Sequence, residues 1–209
     1  MHPAPKAVIF DYGNVLCQPQ SAADTQALAD ILSLPVPQFS AVYWQFRPSY
    51  DDGSLPADYW NAVAQAASRE LSPAQIAQLT EIDNRSWSHP APIMPQWAQE
   101  LRAAGIQTAL LSNMPAPVRD YILGCPWLPD FDVRVFSCDF GQSKPAPGIY
   151  RYCMQRLGVS PTEALFLDDR EANIHAAEAL GLPSVLFNDP ASVILEITRR
   201  FALPAPGSR

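Results

Sequence analysis

Three carboxylates and a small polar pair stand at the ends of apolar runs in this chain, and one lysine falls in a loop between them. Asp11 closes AVIFD, Ser112 and Asn113 close TALLSN, and Asp168 and Asp169 close ALFLDD. Lys144 sits in GQSKPAPGIY, just ahead of a helical stretch. Short apolar runs bounded by turn residues read as strands buried on both faces, as in parallel sheets. The carboxyl ends of such strands face one ligand crevice, so these groups are expected to converge. Clustered carboxylates suit a hard cation such as Mg²⁺, a lysine ammonium neutralises a phosphate oxygen, and Ser and Asn groups donate hydrogen bonds. Asp11 is then free to attack phosphorus and form an aspartyl-phosphate.

The elements that must carry these groups alternate in texture. Residues 6–11 read as a strand. From about residue 20 to 89 strand signals vanish, and SAADTQALADILS, PQFSAVYWQF, PADYWNAVAQAASREL and SPAQIAQLTEIDNRSW place apolar residues at helical spacing. Beyond residue 90, QWAQELRAAG reads as a helix capped by Gly105, followed by the strand IQTALLSN and a helix over 116–123. A strand near DVRVFSC, a helix over 147–157 closed by Gly158, the strand EALFLDD, the helix EANIHAAEALG, the strand PSVLF and a helix over 190–200 complete the series. Strands separated by helices imply an α/β fold, a parallel sheet with helices on both faces. A small all-helical cap, inserted after the first strand, falls over the ligand end of the sheet. The tail LPAPGSR is expected to fray.

FDYGNVL, LLSN, SKPAPGIY and LFLDDREAN, in that order, resemble the haloacid dehalogenase-like (HAD) hydrolase superfamily, above all its phosphatases with a small helical cap. The double-aspartate helix start and the SKPAPGIY run are the most specific of the four. The resemblance implies a Rossmann-like core over residues 1–16 and 91–209 and a cap over 17–90. It implies Asp11 as nucleophile, Ser112 and Asn113 as ligands of the phosphoryl oxygens, and Lys144 as stabiliser of the charge that Asp11 shares with phosphate. Asp11 and Asp169 would ligate Mg²⁺, with the Gly13 carbonyl as a further ligand and Asp168 and Asn173 in support. Most of these phosphatases carry a second aspartate where this chain has Gly13. That aspartate protonates the leaving oxygen and then activates water, and glycine does neither. Similar FD-x-G-N-V starts occur in members resembling sugar-1-phosphate phosphatases, whose anomeric leaving oxygen is more acidic and needs less protonation. Water activation then falls to Asp168, to a cap residue or to hydroxide on the metal.

In the helical insert, Tyr43, Trp44, Phe46 and Tyr50 divide between cap core and substrate platform. Arg47 is expected either to reach the substrate anion or to pair with Asp51 or Asp52. His2, His89 and His175 form no metal or triad spacing, and His175 reads as structural. The net charge of −7 disfavours nucleic acid or an anionic membrane as partner. Cys17, Cys125, Cys138 and Cys153 form no C-x-x-C pair and read as reduced thiols of a cytoplasmic protein. The 22 prolines fall at element junctions and read as stiff connections. The expected activity is Mg²⁺-dependent hydrolysis of a small phosphorylated metabolite, plausibly a sugar phosphate, by a protein with room for a homodimer interface. A metal-independent 2-haloacid dehalogenase is the alternative, since that chemistry needs no acid at position 13. A binding module on the same fold is the third reading.

Overall fold

The structure, a computed structural model, describes residues 4–207; His2 lies outside them. The run AVIF forms β1 (Ala7–Phe10), and all four of its residues are fully buried. It is flanked by β2 (Gln107–Ser112) and β4 (Ala164–Asp168), with β3 (Val133–Phe136) and β5 (Ser184–Leu186) outside them. The order is β3-β2-β1-β4-β5 and every pair is parallel. The chain winds outward from β1 through β2 to β3, then returns to the other side of β1 at β4. That reversal is the switch point at which open α/β sheets bind ligands. Register then sets the site: Phe10 lies opposite both Leu110 and Leu167, so Asp11 and Asp168 leave the sheet at one level.

Side-chain alternation divides the core between the two faces of the sheet. Val8, Phe10, Leu110 and Leu167 pack with Trp97 and Leu101 of α5 (Met94–Ala103) and Ile197 and Phe201 of α10 (Pro190–Phe201). Ile9, Leu111 and Phe166 pack on the other face with Ile149, Tyr150 and Cys153 of α8 (Pro147–Leu157) and Ala177 of α9 (Glu171–Glu178). The helix α6 (Ala116–Leu123) starts and ends where the sequence predicts. Seven of the α-helices carry proline in their first turn, where no intrahelical donor is lost.

Between β1 and α5 the chain forms α1 (Ala22–Ile31), α2 (Val36–Asp51), α3 (Pro56–Ala66) and α4 (Pro73–Ser86). These helices share a hydrophobic cluster of their own, which includes Leu28, Phe39, Tyr43, Tyr59, Trp60 and Leu79. Tyr50 and Tyr59 stack with centroids 4.2 Å apart. The helix predicted to end near Phe46 instead continues through Pro48 to Asp51. An internal proline removes one helical hydrogen bond, and the burial of Tyr43, Arg47 and Tyr50 on one face of the helix offsets that loss. The extension places Arg47 and Asp51 one turn apart.

A short helix that the sequence did not announce, α7 (Ser137–Phe140), receives the end of α2. Ser137 Oγ donates to the Asp51 carbonyl at 2.5 Å, and Ser143 Oγ donates to the Asp52 carboxylate. Gly53 has φ +110°, and a Cβ there would stand 3.2 Å from the Cys138 carbonyl oxygen. The described part of the tail also departs from expectation. Leu203 is buried, Trp97 Nε1 donates to the Pro204 carbonyl at 2.8 Å, and Gly207 N donates to Glu100 Oε2 at 2.9 Å. The indole N–H needs an acceptor, and Leu203 adds apolar area to the α5–α10 face, so this segment docks rather than frays.

Gly53→Ala is expected to cost roughly 1–3 kcal/mol in denaturant unfolding, from strained backbone and the close Cys138 carbonyl. Gly105→Ala is its control, since Gly105 has positive φ with open space around its Cα.

Candidate active site

Lys144 lies at the centre of the site and is almost wholly buried. Its ammonium is 2.8 Å from Asp11 Oδ1 and 2.6 Å from Asp168 Oδ2, and it donates to the Leu111 carbonyl at 2.9 Å. A buried ammonium needs three acceptors, and the ends of β1, β2 and β4 each supply one. The loop before α8 is fixed by Asn113, whose amide donates to the Lys144 carbonyl and accepts from the Lys144 N–H, both at 2.8 Å.

Asp168 is fully buried and its oxygens are occupied. Oδ1 accepts from Arg170 N and Asn173 Nδ2 at 2.9 Å, and Oδ2 accepts from Lys144 and, at 3.0 Å, from Asn173. Asp11 Oδ1 accepts from Tyr12 N at 2.6 Å as well as from Lys144, which leaves Oδ2 without a partner among the described residues. Asp169 is half-buried, and its Oδ2 accepts from Asn14 Nδ2 at 2.7 Å. Asn14 has φ +59°, a left-handed conformation that asparagine tolerates better than most residues. One carboxylate oxygen from each of Asp11, Asp168 and Asp169 can be chosen so that all three lie within 4.8 Å of one another. Three hard oxygen donors at that spacing fit Mg²⁺. Burial pushes the Asp11 carboxyl up to about 7; Lys144 pulls it down, and Asp168 and Asp169 add to the rise.

A cavity of about 110 Å³ opens over these groups, and Asp11, Gly13, Ser112, Asn113, Lys144, Asp169 and Asn173 line it. The Ser112 hydroxyl makes no hydrogen bond among the described residues and remains available to a ligand. Asn113, predicted as a ligand of the phosphoryl oxygens, lines the cavity while its side chain holds the Lys144 backbone. Gly13 has Trp87 above it, and a Cβ at position 13 would lie 3.6 Å from the Trp87 ring. A methyl group there would be in ordinary van der Waals contact with the ring.

Arg47 also lines the cavity, but its charge is met within the protein. Nε donates to Asp51 Oδ1 at 2.7 Å, Nη1 stands 3.6 Å from Asp83 Oδ1, and Nη1 donates to the Tyr43 hydroxyl. Tyr43 in turn donates to Asp83 at 2.7 Å, and Trp87 Nε1 donates to Tyr43 at 3.2 Å. Of the two partners expected for Arg47, Asp51 is realised and Asp52 is not; Asp83 is an additional one. Tyr43 and Tyr50 belong to the helical core with Phe46 against it, whereas Trp44 is half exposed and faces the cavity. Sequence reasoning missed Asn14 and Trp87, and named Asp51 only as a partner for Arg47. The Gly13-Asn14 dipeptide, a turn signal, was available for the first, and Trp87 carried none. His175 is exposed on α9 and does not line this cavity.

The site thus places a buried lysine between two aspartates at the switch point of a parallel sheet, with a third carboxylate beside them. The chain belongs to the haloacid dehalogenase-like hydrolase family, whose model matches residues 5–181. Over 119 residues, 54% of the chain, it is 37% identical to 11% of acyl-CoA dehydrogenase family member 10 of Mus musculus. It is 26% identical over 93% of its length to 38% of bifunctional epoxide hydrolase 2 of Rattus norvegicus. The chain thus spans only a minor part of these two relatives. It is 25% identical to a sesquiterpene phosphatase of Aspergillus oryzae, with 92% of the chain and 94% of that protein covered. Among solved structures, a HAD family enzyme of Bacteroides thetaiotaomicron in complex with magnesium and inorganic phosphate superposes with TM-score 0.66 at 19% identity, over 90% of this chain and 96% of that one. An L-2-haloacid dehalogenase of Xanthobacter autotrophicus superposes with TM-score 0.70 at 21% identity, over 96% and 85%. At these identities the structural likenesses establish the fold.

Lys144→Met is expected to cost about 3–5 kcal/mol at pH 8, because it strands buried carboxylates. The loss should shrink towards pH 5. Without the cation the Asp11 carboxyl, already raised by burial, rises further above its unfolded value, so the folded state holds more protons and stability falls as pH rises. Denaturant titrations of wild type and variant at both pH values check this.

Proposed function

We propose that this protein is a Mg²⁺-dependent phosphomonoester hydrolase that forms an aspartyl-phosphate on Asp11. The observation that carries the reading is the carboxylate cluster: oxygens of Asp11, Asp168 and Asp169 lie within 4.8 Å of one another, with Lys144 paired to Asp11 and Asp168, a set that suits a divalent cation and an anionic substrate held with it. Asp11, Asp169 and the Gly13 carbonyl would hold the metal, with Asp168 and Asn173 in support. Magnesium, when bound, supplies positive charge that lets a carboxylate and a phosphate approach each other.

The rest is the work of the chain's own groups. Lys144 and Tyr12 N fix Asp11 Oδ1, which leaves Oδ2 as the attacking oxygen. Ser112 offers a hydroxyl to the phosphoryl group, and Lys144 stabilises the charge shared by Asp11 and phosphate. Asp168, through Lys144, keeps the ammonium in place. The four helices over residues 22–86 act as the cap, with Trp44, Arg47 and Trp87 in the cavity wall. The substrate is a small phosphorylated metabolite, with sugar phosphates inside the class, and the modest cavity supports a small organic part. A phosphatase relative covered over nearly its full length, and a structural neighbour holding magnesium and phosphate, support the same reading. Among the described residues no helix is long and apolar enough to cross a membrane. The acidic net charge supports a solute rather than nucleic acid as partner.

The dehalogenase reading has one observation in its favour, the glycine at position 13. Against it stands Asp169, which without a cation only adds repulsion around a carboxylate nucleophile. Hydrolysis of p-nitrophenyl phosphate is expected to require Mg²⁺, to cease with EDTA, and to fall on the order of a thousandfold or more in Asp11→Asn. Chloride release from 2-chloropropionate in EDTA, without phosphatase activity, would replace this reading with the dehalogenase.

A further inference from the structure

Gly13 leaves the ester oxygen without the acid that the position two residues after the nucleophile supplies in most similar phosphatases, and the Trp87 ring lies 3.6 Å from where its Cβ would be. Another carboxyl lines the same cavity and has no part in the chemistry described so far. Asp51 is the last residue of α2, and its side chain is 14% exposed. Its place is fixed from the sheet side. Ser137 Oγ donates to the Asp51 carbonyl at 2.5 Å and accepts from Met114 N at 3.0 Å. Met114 directly follows Ser112 and Asn113, so one hydroxyl ties Asp51 to the loop that receives the phosphoryl group.

The two oxygens of Asp51 differ. Oδ1 accepts from Arg47 Nε at 2.7 Å, whereas Oδ2 has no hydrogen-bond partner among the described residues. Arg47 is shared with Asp83, whose Oδ2 is buried and also without a partner. One guanidinium therefore faces two buried carboxyls, with Asp52 adding further negative charge nearby. Such a set retains a proton, because burying the second charge without a counter-ion is costly. Burial raises the Asp51 carboxyl above its ordinary range despite the pull of Arg47, and Asp83 and Asp52 act in the same direction as burial.

We propose that Asp51 is the proton donor to the leaving-group oxygen. The inference rests on the phosphatase reading. As the Asp11 oxygen bonds to phosphorus, the ester P–O bond breaks and its electron pair stays on the leaving oxygen. The Asp51 proton passes to that oxygen, which gives a neutral alcohol and an Asp51 carboxylate facing Arg47. Water then attacks the aspartyl-phosphate, the Asp11–phosphorus bond breaks, inorganic phosphate departs, and one proton of the water returns to Asp51. Arg47 is the positioning residue, since it orients the Asp51 carboxyl while Asp83 shares its charge.

The test compares single-turnover release from p-nitrophenyl phosphate and benzyl phosphate by the Mg²⁺-loaded enzyme. Nitrophenolate leaves without a proton, whereas benzyl alkoxide does not. Asp51→Asn is expected to slow benzyl alcohol release by about a hundredfold or more and nitrophenolate release by less than about tenfold. Asp51→Glu, which keeps an acid, is expected to restore part of the benzyl phosphate rate. An equal loss on both esters would overturn the proposal, since binding or folding defects do not sort leaving groups. Wild-type enzyme on a series of substituted phenyl phosphates gives a check that needs no variant: a steep dependence on leaving-group acidity would also overturn it. Wild-type enzyme that releases no nitrophenolate at all would overturn the phosphatase reading itself, and this inference with it.

Discussion

The buried ammonium of Lys144 is the contact on which the rest of the site depends. An amine in the sheet's interior is tolerated only where acceptors already converge, and here three strand ends supply them. The parallel register supplies the convergence: Phe10 between Leu110 and Leu167 sets Asp11 and Asp168 at one level. Asn113 clamps the Lys144 backbone on both sides, so the loop that delivers the lysine cannot drift from β2. The geometry of the carboxylates therefore follows from strand register together with one cation, and only Asp169 depends on another device, the left-handed Asn14.

The helical side of the site is organised by a different cation. Arg47 has aromatic rings around it, with its guanidinium carbon 5.3 Å from the centroid of Tyr43 and 5.6 Å from that of Trp87. It is also bonded to Asp51 and Tyr43. Because its charge is met internally, Arg47 does not offer a free anion site. Trp87 joins the two halves. Its carbonyl accepts from the Tyr12 hydroxyl at 2.5 Å, its indole N–H reaches Tyr43, and its ring covers Gly13. The tryptophan thus links the helical layer to the turn after Asp11 and lies over the glycine at position 13.

Much of this was legible in the sequence because the signals were local. AVIF, TALL and ALFL are apolar runs ended by polar residues, and Gly158 at φ +70° closes α8 where the pattern placed it. The convergence of Asp11, Lys144, Asp168 and Asp169 followed from parallel topology. The failures share a cause in tertiary structure overriding local signals. Pro48 looks like a helix terminator, yet α2 passes through it because Tyr43, Arg47 and Tyr50 bury one face. Ser137–Phe140 looks like the end of a strand, but it coils to receive the end of α2. The tail looks loose until Trp97 and the apolar face beneath Leu203 are in place. Asp51 appeared only as one of two candidate partners for Arg47, because nothing local shows that Ser137 will hold the end of its helix at the cavity.

The same contacts couple the helical layer to the chemistry. Its α2 end touches the sheet domain at Ser137 and Ser143 and, by close approach, at Cys138. Ser137 also holds Met114, beside Ser112, and Ser143 immediately precedes Lys144. Both attachment points therefore lie next to residues that line the cavity. Displacing α2 would move Asp51 and Arg47 out of the cavity wall and release constraints on both loops at once. The helical layer is thus part of the site's assembly as well as a wall around its ligand, and the backbone of Gly53 makes that close approach possible.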